Sequence, residues 1–329
     1  DNDIYVTQGN TATGFYKYSI SGNSWTTLAV TPEGVFAGRV VLRSDSDNDI
    51  YFTPGNQSTG FYKYSISGNS WTTLAAVPAG VWNGSAMIRN GLDNDIYLMQ
   101  GGSTGFYKYS ISGNSWTTLA AAPGAIGFTM LRNGTDDDIY VPQNGVTGFY
   151  KYSISCNSWT TLAALPQPLY SGGGIIRNGA DNDIYLLQGG GSGLFYKYSI
   201  SGNSWSALAT APGSPNWGGI VIRTGSDNNI YLMEGGWNRG FYKYSISGNS
   251  WVGSNVSNLA AVPVSISQGG IAIRNGSDND IYVAQGSDST GFYKYSISGN
   301  SWTTLAAVPG GVYRGSSMIR NGSDNDIYV

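Results

Sequence analysis

The chain has 329 residues, a net charge of −3 and charged side chains at only 11% of its positions. It contains no His and one Cys, whereas Gly, Tyr and Trp occur 48, 24 and 10 times. Without a basic cluster, it offers no electrostatic surface for nucleic acid. No apolar stretch approaches the roughly 18 residues that a membrane span requires. We therefore expect neither a nucleic-acid partner nor insertion into a membrane.

Two strings recur along the whole chain and divide it into units of about 45 residues. The string DNDIYV, or a variant, begins at Asp1, Asp47, Asp93, Asp136, Asp181, Asp227, Asp278 and Asp324. The string GFYKYSISGNSW, or a near copy, ends at Trp25, Trp71, Trp116, Trp159, Trp205, Trp251 and Trp302. The pattern predicts a single domain over 1–329, with seven units and a surplus strand at 324–329.

Each unit contains four candidate strands in chain order. In the first unit these are the IYV strand at 4–6, the FYKYSI strand at 15–20 and the SWTTLA strand at 24–29. The fourth is an apolar run, such as 85–89. Asn, Gly, Asp, Ser and Pro mark the junctions, and no window has helical periodicity. The sequence therefore predicts an all-β fold, a seven-bladed β-propeller of four-stranded antiparallel blades.

Two features within the units carry a family resemblance. A Tyr is followed by six residues and a Trp, as from Tyr18 to Trp25, and several units have a Gly pair after the IYV strand. In these features the chain resembles the kelch repeat family, which implies a kelch-type propeller. The Arg that kelch repeats often carry after the Pro is matched only loosely, by Arg39 and Arg314. An intracellular adaptor function would rest on this resemblance alone.

Differences between the units concentrate in two loops, the loop after IYV and the Pro-containing loop before the apolar strand. Alternate loops of an up-and-down blade lie on one side, so we expect the two to share a face. Aromatic residues recur in the second loop, at Phe36, Trp82, Tyr170, Trp217 and Tyr313. They could form a rim that stacks on sugar rings, with hydrogen bonds from Arg39, Asn83, Gln268 and Arg314. The alternative is that the rings plug the channel and pack on one another.

The usual catalytic groups are missing from this sequence. There is no His, and Cys156 replaces the Gly that the other six units carry in the same turn. Glu33 and Glu234 are the only Glu residues, and no defined spacing pairs them. The Asp-Asn-Asp segments are typical of tight turns and lack the longer run of acids of a calcium loop. We expect no catalysis, no cofactor and no required metal.

Sequons for N-glycosylation are frequent. They occur at Asn56, Asn83, Asn133, Asn255, Asn275 and Asn321. They matter only on a glycosylating secretory route. Together with the repetition and the low charge, they favour a secreted or cell-surface, extracellular protein.

The chain carries one IYV strand more than seven blades need. Residues 1–6 are repeated in Asp324, Asn325, Asp326, Ile327, Tyr328 and Val329, and either copy could complete the blade that contains Tyr18. A surplus strand could insert into a neighbouring chain. This favours a non-catalytic structural or self-assembling module, a filament, coat or matrix subunit, whose partners are itself or extracellular glycans and proteins. The alternative is a multivalent lectin that binds glycans through the aromatic rim.

Overall fold

The computed structural model describes residues 3–44, 49–89, 95–125, 127, 129–132, 138–143, 145–177, 183–223, 229–253, 259–274 and 280–320. All regular structure in these ranges is β-strand. Within them, no helix has the length and apolarity needed to cross a bilayer.

The strands fall into four sets by their place in a blade. The innermost strands are β4 (Val40–Arg43), β8 (Ala86–Arg89), β12 (Leu131–Arg132), β16 (Gly174–Arg177), β20 (Ile220–Arg223), β24 (Ile271–Arg274) and β28 (Ser317–Arg320). The second strands are β1 (Ile4–Thr7), β5 (Ile50–Thr53), β9 (Ile96–Met99), β13 (Ile139–Pro142), β17 (Ile184–Gly189), β21 (Asn229–Met233) and β25 (Ile281–Ala284). The third strands are β2 (Phe15–Ser19), β6 (Tyr62–Ser65), β10 (Phe106–Ser110), β14 (Phe149–Ser153), β18 (Ser192–Ser199), β22 (Phe241–Ser245) and β26 (Phe292–Ser296). The outermost strands are β3 (Ser24–Thr27), β7 (Ser70–Thr73), β11 (Ser115–Thr118), β15 (Ser158–Thr161), β19 (Ser204–Ala207), β23 (Ser250–Gly253) and β27 (Ser301–Thr304).

These strands form seven separate antiparallel sheets of four strands each, which confirms the seven-bladed β-propeller. Blade 1 has the order β28-β1-β2-β3, and blades 2 to 7 follow in chain order from β4 to β27. Innermost strands of successive blades contact one another, as β4 does with β8 and with β28. They therefore line a central channel.

The second strand of each blade is buried on both faces, because neighbouring blades cover it on either side. In β1, all four residues from Ile4 to Thr7 are buried. Toward the end of the third strand, buried and half-buried side chains alternate: the aromatic residues are buried and Lys17 is half-buried. The outermost strand is exposed except for its half-buried Trp. Burial thus decreases from the second strand outward, which accounts for the aromatic-rich IYV and FYKY strings.

Aromatic side chains join each blade to the next. Phe15 of blade 1 packs edge-on against Tyr64 of blade 2, with ring centroids 4.8 Å apart and an interplanar angle of 87°. The same Phe ring contacts Trp71, at 5.4 Å. The arrangement recurs at the closing interface, where Phe292 of blade 7 contacts Tyr18 and Trp25 of blade 1. Such edge-on pairs add to the free energy of burying the rings.

The Asn-Ser-Trp turn provides a second link between blades. Asn69 adopts a left-handed conformation, with φ of 46°. Its Oδ1 accepts hydrogen bonds from the Ala29 backbone N–H of the preceding blade and from the Tyr64 hydroxyl, both at 2.9 Å. The Trp71 indole N–H donates to the Ala29 carbonyl at 2.9 Å. The backbone N–H and the carbonyl of Ala29 are therefore both hydrogen-bonded to the next blade. This explains why the Asn-Ser-Trp turn hardly varies.

The N-terminal copy of the duplicated strand closes the ring. Ile4 pairs with Arg320, and Thr7 pairs with Ser317, in antiparallel register. The Thr7 hydroxyl also accepts a hydrogen bond from the Ser317 backbone N–H, at 3.0 Å. The prediction that one copy completes blade 1 is confirmed for the N-terminal copy, which pairs over Ile4–Thr7. The proposed assembly strand, 324–329, lies outside the described residues.

The two faces of the disc differ as the comparison of units predicts. Strands alternate in direction within each blade, so the loop between the second and third strands and the loop before the innermost strand lie on one face. We call this the loop face. The Asn-Ser-Trp turns lie on the opposite face, together with the connections between the innermost and second strands.

Candidate functional site

The mouth of the channel on the loop face is built from closely packed backbone. Gly38 has φ of +88°, and a Cβ at this position would lie 2.4 Å from the Trp82 backbone of the next loop. The same close approach occurs at four further glycines. They are Gly172, Gly218, Gly269 and Gly315. Because a side chain at these positions would meet backbone, only Gly lets successive loops join in a ring. We call these residues the mouth glycines.

The aromatic residues predicted in this loop are exposed to different degrees. Trp82, Tyr170 and Trp217 have exposed fractions of 47%, 48% and 57%, whereas Phe36 and Tyr313 are half-buried. Ring contacts among the described residues join blade-core aromatics, and these three exposed rings take no part in them. Trp82, Tyr170 and Trp217 therefore do not pack on one another, as the alternative required of them.

One pair of predicted residues meets across the mouth. The guanidinium carbon of Arg314 lies 5.9 Å from the ring centroid of Trp217, within the range of a cation–π contact. Both residues directly precede a mouth glycine, Trp217 in blade 6 and Arg314 in blade 1. The contact therefore passes over blade 7, whose residue at the same position is the half-buried Gln268. Asn83 occupies this position in blade 3 and is exposed.

Arg39 is held by the protein itself. Its Nε donates to the Ser317 hydroxyl at 2.8 Å, and its Nη2 donates to the Ser316 carbonyl. Burial lowers the pKa of Arg39 to about 10. These two hydrogen bonds tie blade 2 to the closing strand β28, so Arg39 stabilises ring closure and has fewer donors left for a ligand.

The sequence comparison missed the most exposed aromatic residue, Trp237, in the loop between β21 and β22. Its exposed fraction is 69%, and its backbone has φ of 69°. The equivalent turn positions in other blades also have positive φ but carry smaller or more polar residues, such as Thr11, Gln57 and Gly102. A bulky side chain is disfavoured in this conformation. A Trp in a turn that favours Gly or Asn was the available signal.

Trp237 and Trp217 belong to one blade. The Gly236 backbone N–H donates to the Trp217 carbonyl at 2.7 Å, which ties the two loops together. Asn238 and Arg239 follow in the same loop and are exposed. We call the surface formed by Trp217, Trp237 and Arg314 the blade 6 crest.

The indole N–H groups separate two kinds of Trp. In the seven Asn-Ser-Trp turns, each indole N–H donates to an Ala carbonyl of the preceding blade, at 2.8 to 3.0 Å. The indole N–H groups of Trp82, Trp217 and Trp237 donate to no residue that the structure describes. They remain available to a ligand.

The two Glu residues lie in different blades and do not form a pair. Glu33 accepts hydrogen bonds from the Tyr62 hydroxyl and from the Ser58 hydroxyl, the latter at 3.0 Å, both in the next sequence unit. This bond and burial raise the pKa of Tyr62 to about 12, with burial the larger cause. Glu234 accepts from the Ser214 backbone N–H at 3.0 Å and lies 3.5 Å from the Tyr242 hydroxyl. Both carboxylates therefore serve as acceptors for a core Tyr.

Other blades use a Gln for the same purpose. The Tyr16 hydroxyl donates to Gln8 Oε1 at 3.2 Å, and Tyr150 donates to Gln143 at 3.1 Å. In blade 2, Pro54 replaces this Gln, and Glu33 of the neighbouring loop supplies the acceptor instead. The unusual position of Glu33 is thus explained by structure.

Blade 6 also lacks an ion pair found in the other blades. Lys17 and Asp3 lie 3.1 Å apart, and equivalent pairs occur in blades 2 to 5 and in blade 7. In blade 6 the Asp is replaced by Asn229, and Lys243 has no carboxylate partner among the described residues. The blade that carries Trp217 and Trp237 is therefore exceptional in its scaffold too.

The remaining sites considered in the sequence are the metal ligands, Cys156 and the sequons. Across the ranges that the structure describes, no group of three His, Cys, Asp or Glu residues could hold a metal ion. Cys156 is exposed in its turn. Of the sequons, Asn56 and Asn83 are exposed on the loop face. The others lie outside the described residues, at Asn133, Asn255, Asn275 and Asn321.

Comparison with known proteins supports the fold and assigns no family. No protein-family model matches the chain, and no curated protein sequence does. Among solved structures, a fungal alcohol oxidase of the AA5 family, in complex with copper, is similar with a TM-score of 0.68 and 14% identity. That alignment covers 91% of this chain and 68% of the oxidase.

Two lyases are also similar to the chain. Virginiamycin B lyase from Staphylococcus aureus has a TM-score of 0.60 and 12% identity, over 83% of this chain and 85% of the lyase. A streptogramin B lyase structure has a TM-score of 0.62 and 12% identity, over 97% and 98% of the two chains. At these identities the likeness shows a shared fold.

These neighbours correct the expected function. The sequence favoured a non-catalytic structural or self-assembling module, with a multivalent lectin as the alternative. The similar propellers are an oxidase and lyases, so neither expectation is kept. The chain has no His, the commonest metal ligand in proteins, so no copper site is assigned to it.

Proposed function

We propose that the chain binds a small organic molecule with a flat ring at the blade 6 crest. The observation that carries this proposal is the pair Trp217 and Trp237, two largely exposed indoles in adjoining loops of one blade. Indole faces stack on planar rings, and a free indole N–H adds a directional hydrogen bond.

The pattern of substitutions supports a single site. The units differ little in their scaffold, yet blade 6 departs at Asn229, Glu234, Trp237 and Arg239. Glu234 and Trp237 lie on the loop face with Trp217, which favours a function of this face of blade 6.

The structural neighbours are consistent with a small-molecule ligand. An alcohol oxidase and a lyase must each bind an organic substrate before they react with it. Any reaction here would need a proton-transfer group other than His, such as Tyr, Glu, Asp, Lys or Cys, since His is absent. The kelch-like relationship of the units remains a proposal too, supported by the Tyr-to-Trp spacing.

The test is ligand-observed NMR and calorimetry with 2-naphthamide, a neutral bicyclic probe. Trp217→Ala and Trp237→Asn should each weaken binding about fivefold or more, because each removes a stacking surface. Trp82→Ala is the matched control, as it removes an exposed Trp from blade 3 and should leave binding unchanged. Mass spectrometry of the incubated probe reports any turnover.

Two results would contradict the proposal. One is the absence of saturable binding to the wild-type chain. The other is equal weakening by all three substitutions, which would indicate unspecific adsorption to exposed aromatic rings.

A further inference from the structure

Arg314 is placed to bind charge at the edge of the blade 6 crest. Its guanidinium lies over Trp217 with the central carbon 5.9 Å from the ring centroid. Stacking occupies one face of a guanidinium, whereas its N–H donors point outward in the plane. The side chain is exposed and forms no hydrogen bond or ion pair with a described residue. Its donors are therefore free while the aromatic contact holds their direction.

The residue at the position of Arg314 can be compared between the repeat units. In the other blades, the residues directly before a mouth glycine include Ala37, Ser171 and Gln268, all neutral, and the equivalent residue of blade 3 is the neutral Asn83. A cation occurs there at Arg314, in the loop that faces Trp217 across blade 7. Arg39, by contrast, donates to the Ser317 hydroxyl and the Ser316 carbonyl, whereas Arg314 has no such partner among the described residues.

The carboxylates of the loop face have other neighbours. Glu33 and Glu234 accept hydrogen bonds from Tyr hydroxyl or backbone N–H groups. The Asp288 side chain lies against the Gly311 backbone, where Oδ1 would be 2.2 Å from an added Cβ, and forms no ion pair with Arg314. None of these groups neutralises the guanidinium.

We infer that the ligand of the blade 6 crest carries an anionic group, a carboxylate or a phosphate, next to its ring, and that Arg314 binds this group. The inference rests on the proposed function. A guanidinium edge matches two oxygens of either anion in a bidentate hydrogen bond. The ring would then lie on Trp237 or on the uncovered part of Trp217.

The experiment compares three probes with the same ring. They are 2-naphthoate, 2-naphthyl phosphate and the neutral 2-naphthamide, titrated by calorimetry at low and at physiological salt. We expect at least one anion to bind about tenfold more tightly than the amide, as a charge-assisted hydrogen bond allows. The preferred anion identifies the source as a carboxylic acid or a phosphate ester. Added salt should weaken the binding of the anion and leave the binding of the amide unchanged.

Arg314→Gln should abolish the preference for the anion while the amide still binds. Arg314→Lys should keep part of the preference, because it retains the charge and loses the planar fork. Arg239→Gln is the control and should preserve the preference, because Arg239 is an exposed Arg of blade 6 whose Nε already donates to the Val262 carbonyl, at 2.8 Å.

The outcomes separate the two ideas. Equal binding of amide and anions, or a preference that survives Arg314→Gln, overturns the anion site and leaves ring binding at the crest intact. Failure of all three probes to bind overturns both.

Discussion

The ten Trp residues of this chain divide between two regions, and the comparison shows how one residue type serves two purposes. In the Asn-Ser-Trp turns, each indole donates to a neighbouring blade and packs on a buried Phe, as Trp71 does on Phe15. On the loop face, Trp82, Trp217 and Trp237 are 47% to 69% exposed, with no described partner for the N–H. An internal hydrogen-bond partner marks the structural set, and its absence marks the exposed set, of which Trp217 and Trp237 belong to the blade 6 crest.

The largest expected effect is alkaline unfolding, which acts on the structural region. Burial raises the pKa of the interface tyrosines to about 12, from 10.0; they are Tyr18, Tyr64, Tyr152, Tyr198 and Tyr244. Above pH 10 the unfolded chain loses these protons and the folded chain keeps them, so stability falls as pH rises toward 12. Denaturant titrations across this range, with tyrosinate absorbance, measure the loss. A constant free energy of unfolding would contradict it.

Arg39 has the opposite effect on the pH dependence of stability between pH 10 and 12. Its pKa is lowered to about 10, so the unfolded chain holds its proton to higher pH than the folded chain does. One such group against five tyrosines leaves the net slope negative.

The second prediction pairs one Trp from each region. Trp71→Ala should lower the free energy of unfolding by about 3 kcal/mol, because it removes a packed ring and an inter-blade hydrogen bond. Trp237→Asn should raise it by up to about 1 kcal/mol, because Asn tolerates the left-handed turn better than Trp. Chemical denaturation of both variants measures the difference. Similar destabilisation by the two changes would end the distinction between the regions.

The smallest effect concerns the ion pair that blade 6 lacks. Asn229→Asp should restore a pair with Lys243 and stabilise the chain by about 0.5 kcal/mol at low salt, since partly exposed pairs contribute little. The gain should vanish at high salt and in the double variant Asn229→Asp with Lys243→Gln. A gain that persists in the double variant would show that the Asp acts through the turn and forms no ion pair.

Much of the fold could be predicted because every interface repeats the same residues at the same offsets. The Tyr, Asn and Trp of one unit meet the Phe and Ala of the preceding one, so a single motif specifies seven contacts. The loop face could be recognised as well, because its two loops vary while the turns do not. The function expected from the sequence was wrong, since repetition indicates a propeller and says little about its chemistry.

The candidate site was harder to predict from the sequence than the fold was. Trp237 lies in a variable loop, but its exposure depends on a left-handed backbone conformation that a Trp residue seldom adopts. Arg39 was placed among ligand-binding residues, and the structure shows it bonded to Ser316 and Ser317. Glu33 stood out as an irregularity, and only the position of Tyr62 in the next unit explains it. For Arg39 and Glu33 the partner comes from another unit.

The sequence alone determined the number of blades, the strands within each blade and the division into a constant and a variable face, because these follow from a local period and local turn chemistry. Tertiary structure decided which of the two identical strands closes the ring, and it placed Arg314 over Trp217. The reason is geometric. Closing the ring brings the ends of the chain together and lets loops of non-adjacent blades meet over the channel, and these contacts depend on distances in space that no repeat period records.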